Sequence, residues 1–436
     1  MAKSTENAFA RNSLKERNSM YMNRRQFLES STLVPLLIAT GCATLDSNTS
    51  SIPLSQKRFF YASQGKTAMM NADGSGLRYL TFDRLNQVTW HPGAFFPDGH
   101  RMLVYSMEAR RDGPGKPFDE YYHTTPTHIW IHDLDTGSLE EIATRERLAP
   151  YITPQLLLPD GRMMIQVVQK KVPQSFIINL DGSGPRPFTQ PGEGMPYGMN
   201  VSPDGKRVAY HLAASSGYEI RVCDLDGGNK TLITKRQGHV FFGPQWSPDG
   251  EWIIFQDCHH WEDQGHDWAD MMMSRPDGSE LQHLTHGQAL WFGSSYGAPG
   301  NYGRGSNVPI WSKDGSILFC RRLLDSKVAW EYKKDEKDVD HFNRAYKPEL
   351  ARGGTEICRM NPKTREVIRL TTSHPPVWDF RQTESSDGKH ILFCRTLTRE
   401  TPGLWIMDSD GENQRLLTRG IDDLGVDHPR WIPNQG

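Results

Sequence analysis

The sequence predicts an all-β fold, a seven-bladed β-propeller, because two families of turns recur along it. In the first, a strand-like run ends in an Asp-Gly type turn, at Asn71–Gly74, Leu134–Gly137, Leu180–Gly182, Leu225–Gly227, Arg275–Gly278, Asn361–Thr364 and Asp408–Gly411. In the second, a Ser-Pro-Asp-Gly type turn precedes a short apolar strand, at Phe96–Gly99, Leu158–Gly161, Ser202–Gly205, Ser247–Gly250, Ser312–Gly315 and Ser386–Gly388. A period of roughly 40 to 50 residues with four strands is typical of propeller blades.

The second family of turns has one member fewer than the first, which a ring closed by its two ends explains. The C-terminal run His428–Pro433 would supply the first strand of a blade that Arg58–Tyr61 completes. Because a single blade cannot bury its own faces, we expect residues 57–436 to form one cooperative domain.

The connections between strands indicate which face of the ring carries function. In a blade of strands A to D, the two turn families join A to B and C to D, so both lie on one face. The long insertions all fall in the B–C and D–A connections of the other face, at Met107–Thr127, Cys258–Asp270, Thr285–Val308 and Leu323–Thr355. We therefore predict that this second face is the working face, because loops on a rigid scaffold carry function. Tolerated surface insertions are the alternative.

The N-terminus predicts an export signal. Asn23–Leu28 contains a twin-arginine motif, the apolar run Leu33–Ala39 follows it, and Ala39–Cys42 resembles a lipoprotein cleavage box. We expect removal of residues 1–41, lipidation of Cys42 and a tether over residues 42–56. The apolar run is too short to span a bilayer. Met22 is an alternative start.

These signals predict a protein exported by the twin-arginine route and held by a lipid anchor in the periplasm or at the cell surface. Ala43 after the anchor favours the outer membrane. The formal net charge of −2 gives no indication of a nucleic-acid partner. The remaining cysteines favour buried thiols over a disulfide framework, at Cys223, Cys258, Cys320, Cys358 and Cys394.

The densest chemistry lies in the insertion Cys258–Asp270, which holds three histidines and four carboxylates within thirteen residues. Such a loop can bind a divalent metal, manganese or calcium, or supply a general base. The candidates are His260 and His266 as catalytic residues, His259 and Asp267 as metal ligands, and Trp261 and Trp268 as stacking platforms for a sugar. A loop held by hydrogen bonds from His and Asp to its own backbone is the structural alternative.

Neighbouring segments of the working face add phenols, guanidinium groups and amides. The catalytic candidates are Tyr296, Tyr302, Arg304 and Arg344, the ligand-binding candidates are Asn301, Asn307, His341 and Arg430, and His428 joins the metal candidates. Because guanidinium binds planar anions in a bidentate manner, an acidic oligosaccharide is the predicted ligand. Ordinary solvated surface charges are the alternative for each arginine.

The repeated Trp-Ser-Pro-Asp-Gly and Asp-Gly-Ser pattern, of the WD40-like kind, resembles TolB-type propellers across nearly the whole mature chain. A narrower stretch, Gly265–Asp270 running into Met271–Met273, is similar to the Gly-Pro-His-Asp-x-x-Asp stretch of oligogalacturonate lyases, the polysaccharide lyase family 22 type. That resemblance implies β-elimination on uronide oligomers, with a manganese ion held by histidines and a glutamine. It carries over to His266 and, through Trp378–Gln382, to Gln382 as a metal ligand.

This chain departs from the lyase pattern at two places. Thr383–Ser385 follows Gln382 where the family has His-Pro-His-Pro, and Asn307 stands where the family has a metal histidine. Two hypotheses therefore stay open. One is a lipoprotein enzyme of carbohydrate metabolism, a carbon-oxygen lyase on an acidic oligosaccharide. The other is a non-catalytic propeller that binds a protein or glycan at the cell envelope.

Overall fold

The structure, a computed structural model, describes residues 52–64, 66–80, 87–108, 127–143, 151–169, 172–214, 217–237, 239–258, 268–290, 296–298, 307–332, 344–372 and 376–433. The predicted sites outside these ranges are His259, His260, Trp261, His266, Asp267, Asn301, Tyr302, Arg304, His341 and Cys42. Within the described part of the chain, no helix is long and apolar enough to cross a membrane.

The strands form blades of four, numbered here from the blade that contains both ends of the propeller. Each of blades 1 to 4 is given from its inner strand A outward. Blade 1 is β31 (Asp427–Trp431), β1 (Arg58–Ser63), β2 (Lys66–Asn71) and β3 (Arg78–Leu80). Blade 2 is β4 (Gln87–Phe95), β5 (Arg101–Glu108), β6 (Thr127–Asp133) and β7 (Leu139–Ala143). Blade 3 is β8 (Tyr151–Leu157), β9 (Met163–Gln169), β10 (Val172–Ile178) and β11 (Arg186–Pro187). Blade 4 is β12 (Met195–Val201), β13 (Arg207–Ala214), β14 (Gly217–Asp224) and β15 (Thr231–Thr234).

Blades 5 to 7 complete the ring, and blade 6 carries additional strands. Blade 5 is β16 (Val240–Trp246), β17 (Ile253–Cys258), β18 (Trp268–Ser274) and β19 (Gln282–His283). Blade 6 is β21 (Ile310–Trp311), β22 (Ile317–Arg322), β25 (Thr355–Met360) and β26 (Val367–Arg369). Blade 7 is β27 (Trp378–Glu384), β28 (His390–Thr396), β29 (Gly403–Asp408) and β30 (Arg415–Thr418). The additional strands are β20 (Ala289–Leu290) and the hairpin of β23 (Trp330–Tyr332) with β24 (Arg344–Tyr346).

The predicted closure by the two ends of the propeller is confirmed. Strands β1 and β31 are antiparallel neighbours, with Phe59 opposite Trp431 and Phe60 opposite Arg430. The seven-bladed all-β prediction is therefore confirmed as well. Turn chemistry explains why the sequence shows it, since Gly250 has φ 73° and its N–H donates to Ser247 O, as a tight hairpin requires.

Two features join blades 4, 5 and 6 more closely than a simple ring predicts. Tyr218 of blade 4 pairs with Val240 of blade 5 in a parallel bridge. Strand β20 pairs with blade 5 through Trp268 and Leu290, and with blade 6 through Ala289 and Arg321. The D–A connection between blades 5 and 6 is thus part of the sheet.

Apolar clusters lie between every pair of neighbouring blades. Between blades 5 and 6, for example, Ile254 and Met271 pack with Phe319 and Cys358. Indole hydrogen bonds recur beside the channel, each from the A strand of one blade to the A strand of the preceding blade. They are Trp246 Nε1 to Asn200 O, Trp311 Nε1 to Gln245 O and Trp431 Nε1 to Thr383 O. The closing joint therefore uses the same contact as two internal joints.

The prediction of buried thiols is confirmed for the five described cysteines. All are buried within strands, and none forms a disulfide in the described ranges. Burial raises the pKa of Cys223 and of Cys358 to about 12, so both are thiols rather than thiolates at neutral pH.

Candidate functional site

One position of the inner strand A distinguishes blades 7 and 1 from blades 4 and 5. It lies three residues before the last residue of strand A, next to the bulge of the strand. Blades 4 and 5 have Gly198 and Gly243 there, with φ 57° and 62°. Blades 7 and 1 have Arg381 and His428 in the same left-handed conformation, with φ 59° and 52°.

A side chain in the left-handed region costs roughly 1–2 kcal/mol, because Cβ approaches the neighbouring carbonyl oxygen. Two glycines adopt this conformation without strain at the bulges of blades 4 and 5, whereas the bulges of blades 2 and 3 have Pro92 and Pro154 there, which do not have positive φ. Arg381 and His428 each carry a Cβ, so their backbone is strained at a position where glycine would not be. Nine other non-glycine residues of the described ranges have positive φ, but none of them lies in an A strand. Because strain of this kind concentrates at functional sites, its position beside the channel makes this pair the leading candidate in the described part of the chain.

The two strained residues share one carboxylate. Arg381 Nε donates to Asp427 Oδ1 over 2.9 Å, and His428 Nδ1 lies 3.1 Å from Asp427 Oδ2. The backbone N–H of His428 also donates to Asp427 Oδ1, over 2.8 Å. Asp427 thus holds both the backbone and the imidazole of His428, and because Nδ1 is the ring atom it contacts, Nε2 is the ring atom that would meet a ligand. Asp427 and His428 begin strand β31, at the end of the channel that meets the working face.

The electrostatics of this cluster keep the imidazole neutral. Burial and then the Arg381 cation lower the pKa of His428, against the raising effect of Asp427. Burial alone would raise the pKa of Asp427, but Arg381 and His428 hold it well below its usual range. A neutral histidine oriented by a carboxylate is the arrangement of a general base. The side chain keeps 13% of its surface exposed, so a ligand can reach it.

Arg430 has a structural environment. Its Nη1 donates to Gly93 O over 3.1 Å, and its guanidinium lies 4.7 Å from the centroid of the Phe95 ring. Burial lowers the pKa of Arg430 to about 10. The bond to Gly93 ties the closing blade to blade 2, and the other terminal nitrogen of Arg430 is buried with no partner in the described ranges. This placement does not support the predicted role of Arg430 in binding an anion.

Asn307 and Gln382 are held by the inner strands. Asn307 Oδ1 accepts the backbone N–H of Arg381 over 2.6 Å, and Asn307 O accepts from Gln256 Nε2. Gln382 Nε2 donates to Val308 O over 3.1 Å, and its Oε1 is buried with no partner in the described ranges. Asn307 therefore positions the strained arginine rather than a substrate.

A manganese ion of the lyase type does not fit the described residues around Gln382. The Asn307 side-chain oxygen is occupied by a backbone donor, Thr383 follows the glutamine, and the Arg381 guanidinium brings positive charge beside it. His428 Nδ1 is engaged with Asp427. Elsewhere in the described ranges, one group of imidazole and carboxylate side chains can hold a metal, namely Asp270, His283 and His286.

Two predicted aromatic candidates are in the core. Trp268 is 1% exposed and stacks on Trp378 at 6.5 Å, so its ring is not open to a sugar. Tyr296 is 1% exposed and packs against Phe380 at 5.2 Å, beneath the strained Arg381. The backbone of Arg344 begins strand β24. Burial thus moves Trp268 from the predicted binding surface to the apolar cluster shared by blades 7 and 1.

Sequence reasoning did not identify Arg381 or Asp427. The signal that could have found Arg381 is the alignment of Gly198 and Gly243 with the residue three before the end of each A strand, and Asp427 has no such signal. His428 was identified, as a metal candidate, whereas its bond to Asp427 gives it the geometry of a base.

Comparison with known proteins gives no matching family model. One stretch of 172 residues is 28% identical to an uncharacterized protein of Agrobacterium fabrum, covering 39% of this chain and 54% of that protein. The match therefore spans about half the length of this curated relative.

Three of the solved structures that resemble this chain bear different names. TolB from Acinetobacter baumannii is 17% identical over 85% of this chain and 79% of its own, with a TM-score of 0.42. A puromycin-hydrolyzing peptidase of Mycobacterium tuberculosis is 11% identical over 85% of this chain and 54% of its own, with a TM-score of 0.53. An oligogalacturonate lyase in complex with manganese is 16% identical over 84% of both chains, with a TM-score of 0.47. At 11% identity and a TM-score of 0.53, the likeness to the peptidase structure shows a similar fold and nothing more.

Proposed function

We propose that this protein is a lyase that cleaves an acidic, uronic-acid-containing oligosaccharide by β-elimination, with His428 as its general base. The observation that carries the proposal is the neutral imidazole of His428, held by Asp427 on a strained backbone at the working-face end of the channel. The substrate class is supported by the resemblance of residues 265–273 to oligogalacturonate lyases.

The chemistry requires three groups, and the chain offers candidates for each. His428 Nε2 takes the proton from C5, the carbon beside the uronate carboxylate, and the C–H electron pair forms the C4–C5 double bond. The C4–O bond then breaks, and the leaving oxygen takes a proton from an acid. Tyr302 is the proposed acid, and Arg304 is the proposed partner of the substrate carboxylate, whose charge must be neutralised for C5 to lose a proton.

Arg381 acts as a positioning residue in this scheme. Its bond to Asp427 fixes the carboxylate, and Asp427 fixes the tautomer and orientation of the base. Asn307 in turn holds the backbone N–H of Arg381. Inner strands of three consecutive blades thus converge on one imidazole.

The site of action is part of the proposal. We propose export by the twin-arginine route through Arg24 and Arg25 and a lipid anchor on Cys42, which would put the propeller at the cell envelope. Expression of a Cys42→Ala variant tests the anchor, since the protein should move from the membrane fraction to the soluble fraction. Equal membrane recovery of both forms would rule out this anchor.

The activity is tested by the ultraviolet absorbance of the unsaturated uronide product. The purified full-length protein is incubated with a panel of uronic-acid polymers and oligomers, and His428→Gln is compared with the wild type. His239→Gln is the matched control, because His239 Nδ1 also contacts a carboxylate, Asp257, over 2.7 Å and its side chain is 12% exposed. We expect a loss of at least about a hundredfold for His428→Gln only, the typical contribution of a general base.

The bases predicted from sequence give the competing assignment. His260→Gln and His266→Gln are measured on the same substrate. If either abolishes turnover while His428→Gln retains it, the base lies in the insertion and His428 is structural.

A non-catalytic propeller that binds an envelope protein or a glycan is the second candidate. The burial of Trp268 and Tyr296 and the incomplete manganese ligand set favour it. A flat absorbance trace across the panel, with saturable binding of the same oligosaccharides by calorimetry, would support this candidate and exclude the lyase.

A further inference from the structure

A second cluster of chemistry lies in blade 5, in strands C and D rather than beside the channel. Asp270 is in β18, His283 is in β19, and His286 follows β19 in the D–A connection. Each offers one ligand atom, and these atoms all lie within 4.8 Å of one another. His283 Nδ1 is 3.5 Å from Asp270 Oδ2.

The neighbouring blades show what this position ordinarily holds. In blades 3, 5 and 6 a threonine just after the D strand accepts from the C strand. Thr189 Oγ1 accepts from Ser175 N, Thr285 Oγ1 from Met271 N and Thr371 Oγ1 from Ile357 N. Counting from that threonine, Asp270 corresponds to Glu356 of blade 6, and His283 corresponds to Arg369. Arg369 Nε forms an ion pair with Glu356 Oε2 over 2.7 Å.

Blade 4 supplies the counterpart of the second histidine. Counting in the same way, Glu219 corresponds to Asp270 and Lys235 corresponds to His286. Lys235 Nζ lies 3.0 Å from Glu219 Oε2. The scaffold therefore holds a C-strand carboxylate against cationic side chains, and in blade 5 both cationic positions are histidine.

This exchange of residue type changes the chemistry. Ammonium and guanidinium groups have no lone pair for a metal at neutral pH, whereas a neutral imidazole is the most common nitrogen ligand of transition metals. The two rings are nearly parallel, 18° apart with centroids 5.9 Å apart, and both are exposed on the side away from the core. Asp270 is fully buried and its Oδ1 accepts the N–H of Gly287, so the carboxylate is fixed before any ion arrives.

We infer that Asp270, His283 and His286 form a binding site for a divalent transition metal of the zinc class. Two imidazole nitrogens and one carboxylate oxygen make three protein ligands, and water completes a four-coordinate site. Mixed nitrogen and oxygen ligands favour zinc over magnesium, which prefers oxygen alone. The bound ion clamps β18 to the start of the connection that leads into β20, the strand that pairs with both blade 5 and blade 6.

The site is tested by zinc titration of the metal-stripped full-length protein, followed by calorimetry and by thermal unfolding. The key variant is His283→Arg, which restores the residue of blade 6 and keeps an ion pair with Asp270 while it removes the ligand. His286→Lys does the same with the residue of blade 4. Because both substitutions copy side chains that the same scaffold holds elsewhere, we expect both variants to fold.

We expect the wild type to bind one more equivalent of zinc than either variant, or to bind it at least about tenfold more tightly, since even an outer-sphere partner of a metal is worth about that much. Zinc should raise the unfolding temperature of the wild type more than that of the variants, and magnesium should not. The histidines of residues 259–267 contribute equally to all three proteins and cancel in the comparison. Identical stoichiometry, affinity and thermal shift in His283→Arg and the wild type would overturn the site, whatever the outcome of the lyase assay.

Discussion

Replacement of His428 by glycine or by alanine separates the strain at this position from the contacts of its side chain. Both variants remove the 3.1 Å contact with Asp427. Only glycine also removes the steric conflict of a Cβ at φ 52°, as Gly243 shows at φ 62° in blade 5. The difference between the two variants therefore reports the strain, less the entropy cost of glycine in the unfolded state.

The magnitude follows from two opposing effects. Left-handed backbone costs a residue with Cβ roughly 1–2 kcal/mol, and the greater freedom of unfolded glycine costs roughly 0.5–1 kcal/mol. We expect His428→Gly to be more stable than His428→Ala by roughly 0.5–1 kcal/mol. Both variants should lose lyase activity, because neither has a base.

Urea unfolding of the purified variants gives the two stabilities from the midpoints and slopes. The control position is Glu140, an exposed residue of β7 without positive φ, where alanine should be the more stable by roughly 0.5–1 kcal/mol. If alanine is also the more stable at position 428, the backbone there is not strained and the argument for a functional site loses its basis.

Three further predictions concern pH and the joints between blades. The lowered pKa of His428 predicts that the acid limb of kcat/KM has its midpoint below 6.5, and a midpoint at or above 6.5 would exclude a buried neutral base. Burial lowers the pKa of His211 to about 3, so as pH falls below 6.5 the unfolded state binds a proton on this histidine before the folded state does. The wild type should therefore lose about 2 kcal/mol of stability at pH 5 in urea unfolding, and His211→Phe should not. An equal loss in both proteins would contradict this. Trp431→Phe should cost about 1 kcal/mol in urea unfolding, as should Trp246→Phe, because both lose an indole hydrogen bond between inner strands; a much larger cost for Trp431→Phe would mean that the closing joint is not equivalent to the internal ones.

The sequence predicted the fold because the signals for a propeller are local. A turn with Asp-Gly, such as Asp249-Gly250, specifies its own backbone geometry, and the period of these turns counts the blades. The closing contact between Phe59 and Trp431 followed from counting two turn families. The parallel bridge at Tyr218 and the strand pairing of β20 could not be predicted, because they depend on how far neighbouring blades approach.

The candidate site was predicted less completely, because side-chain roles depend on burial and register. Trp268 was predicted to stack on a sugar and Tyr296 to act in catalysis, but both side chains are buried in the folded chain. Arg381 and His428 are 47 positions apart in the chain and meet only because two inner strands are adjacent in the ring. A strained φ is a property of the folded backbone, and it becomes readable in the sequence only after Gly198 and Gly243 are aligned with these residues.

The most direct test of the proposed function is the ultraviolet assay for unsaturated uronide, run with wild type, His428→Gln and His239→Gln on one panel of acidic oligosaccharides. With His428 as the base, we expect absorbance to rise for the wild type and for His239→Gln and to stay flat for His428→Gln. Equal rates for His428→Gln and the wild type, or no product from any protein on the whole panel, would contradict it.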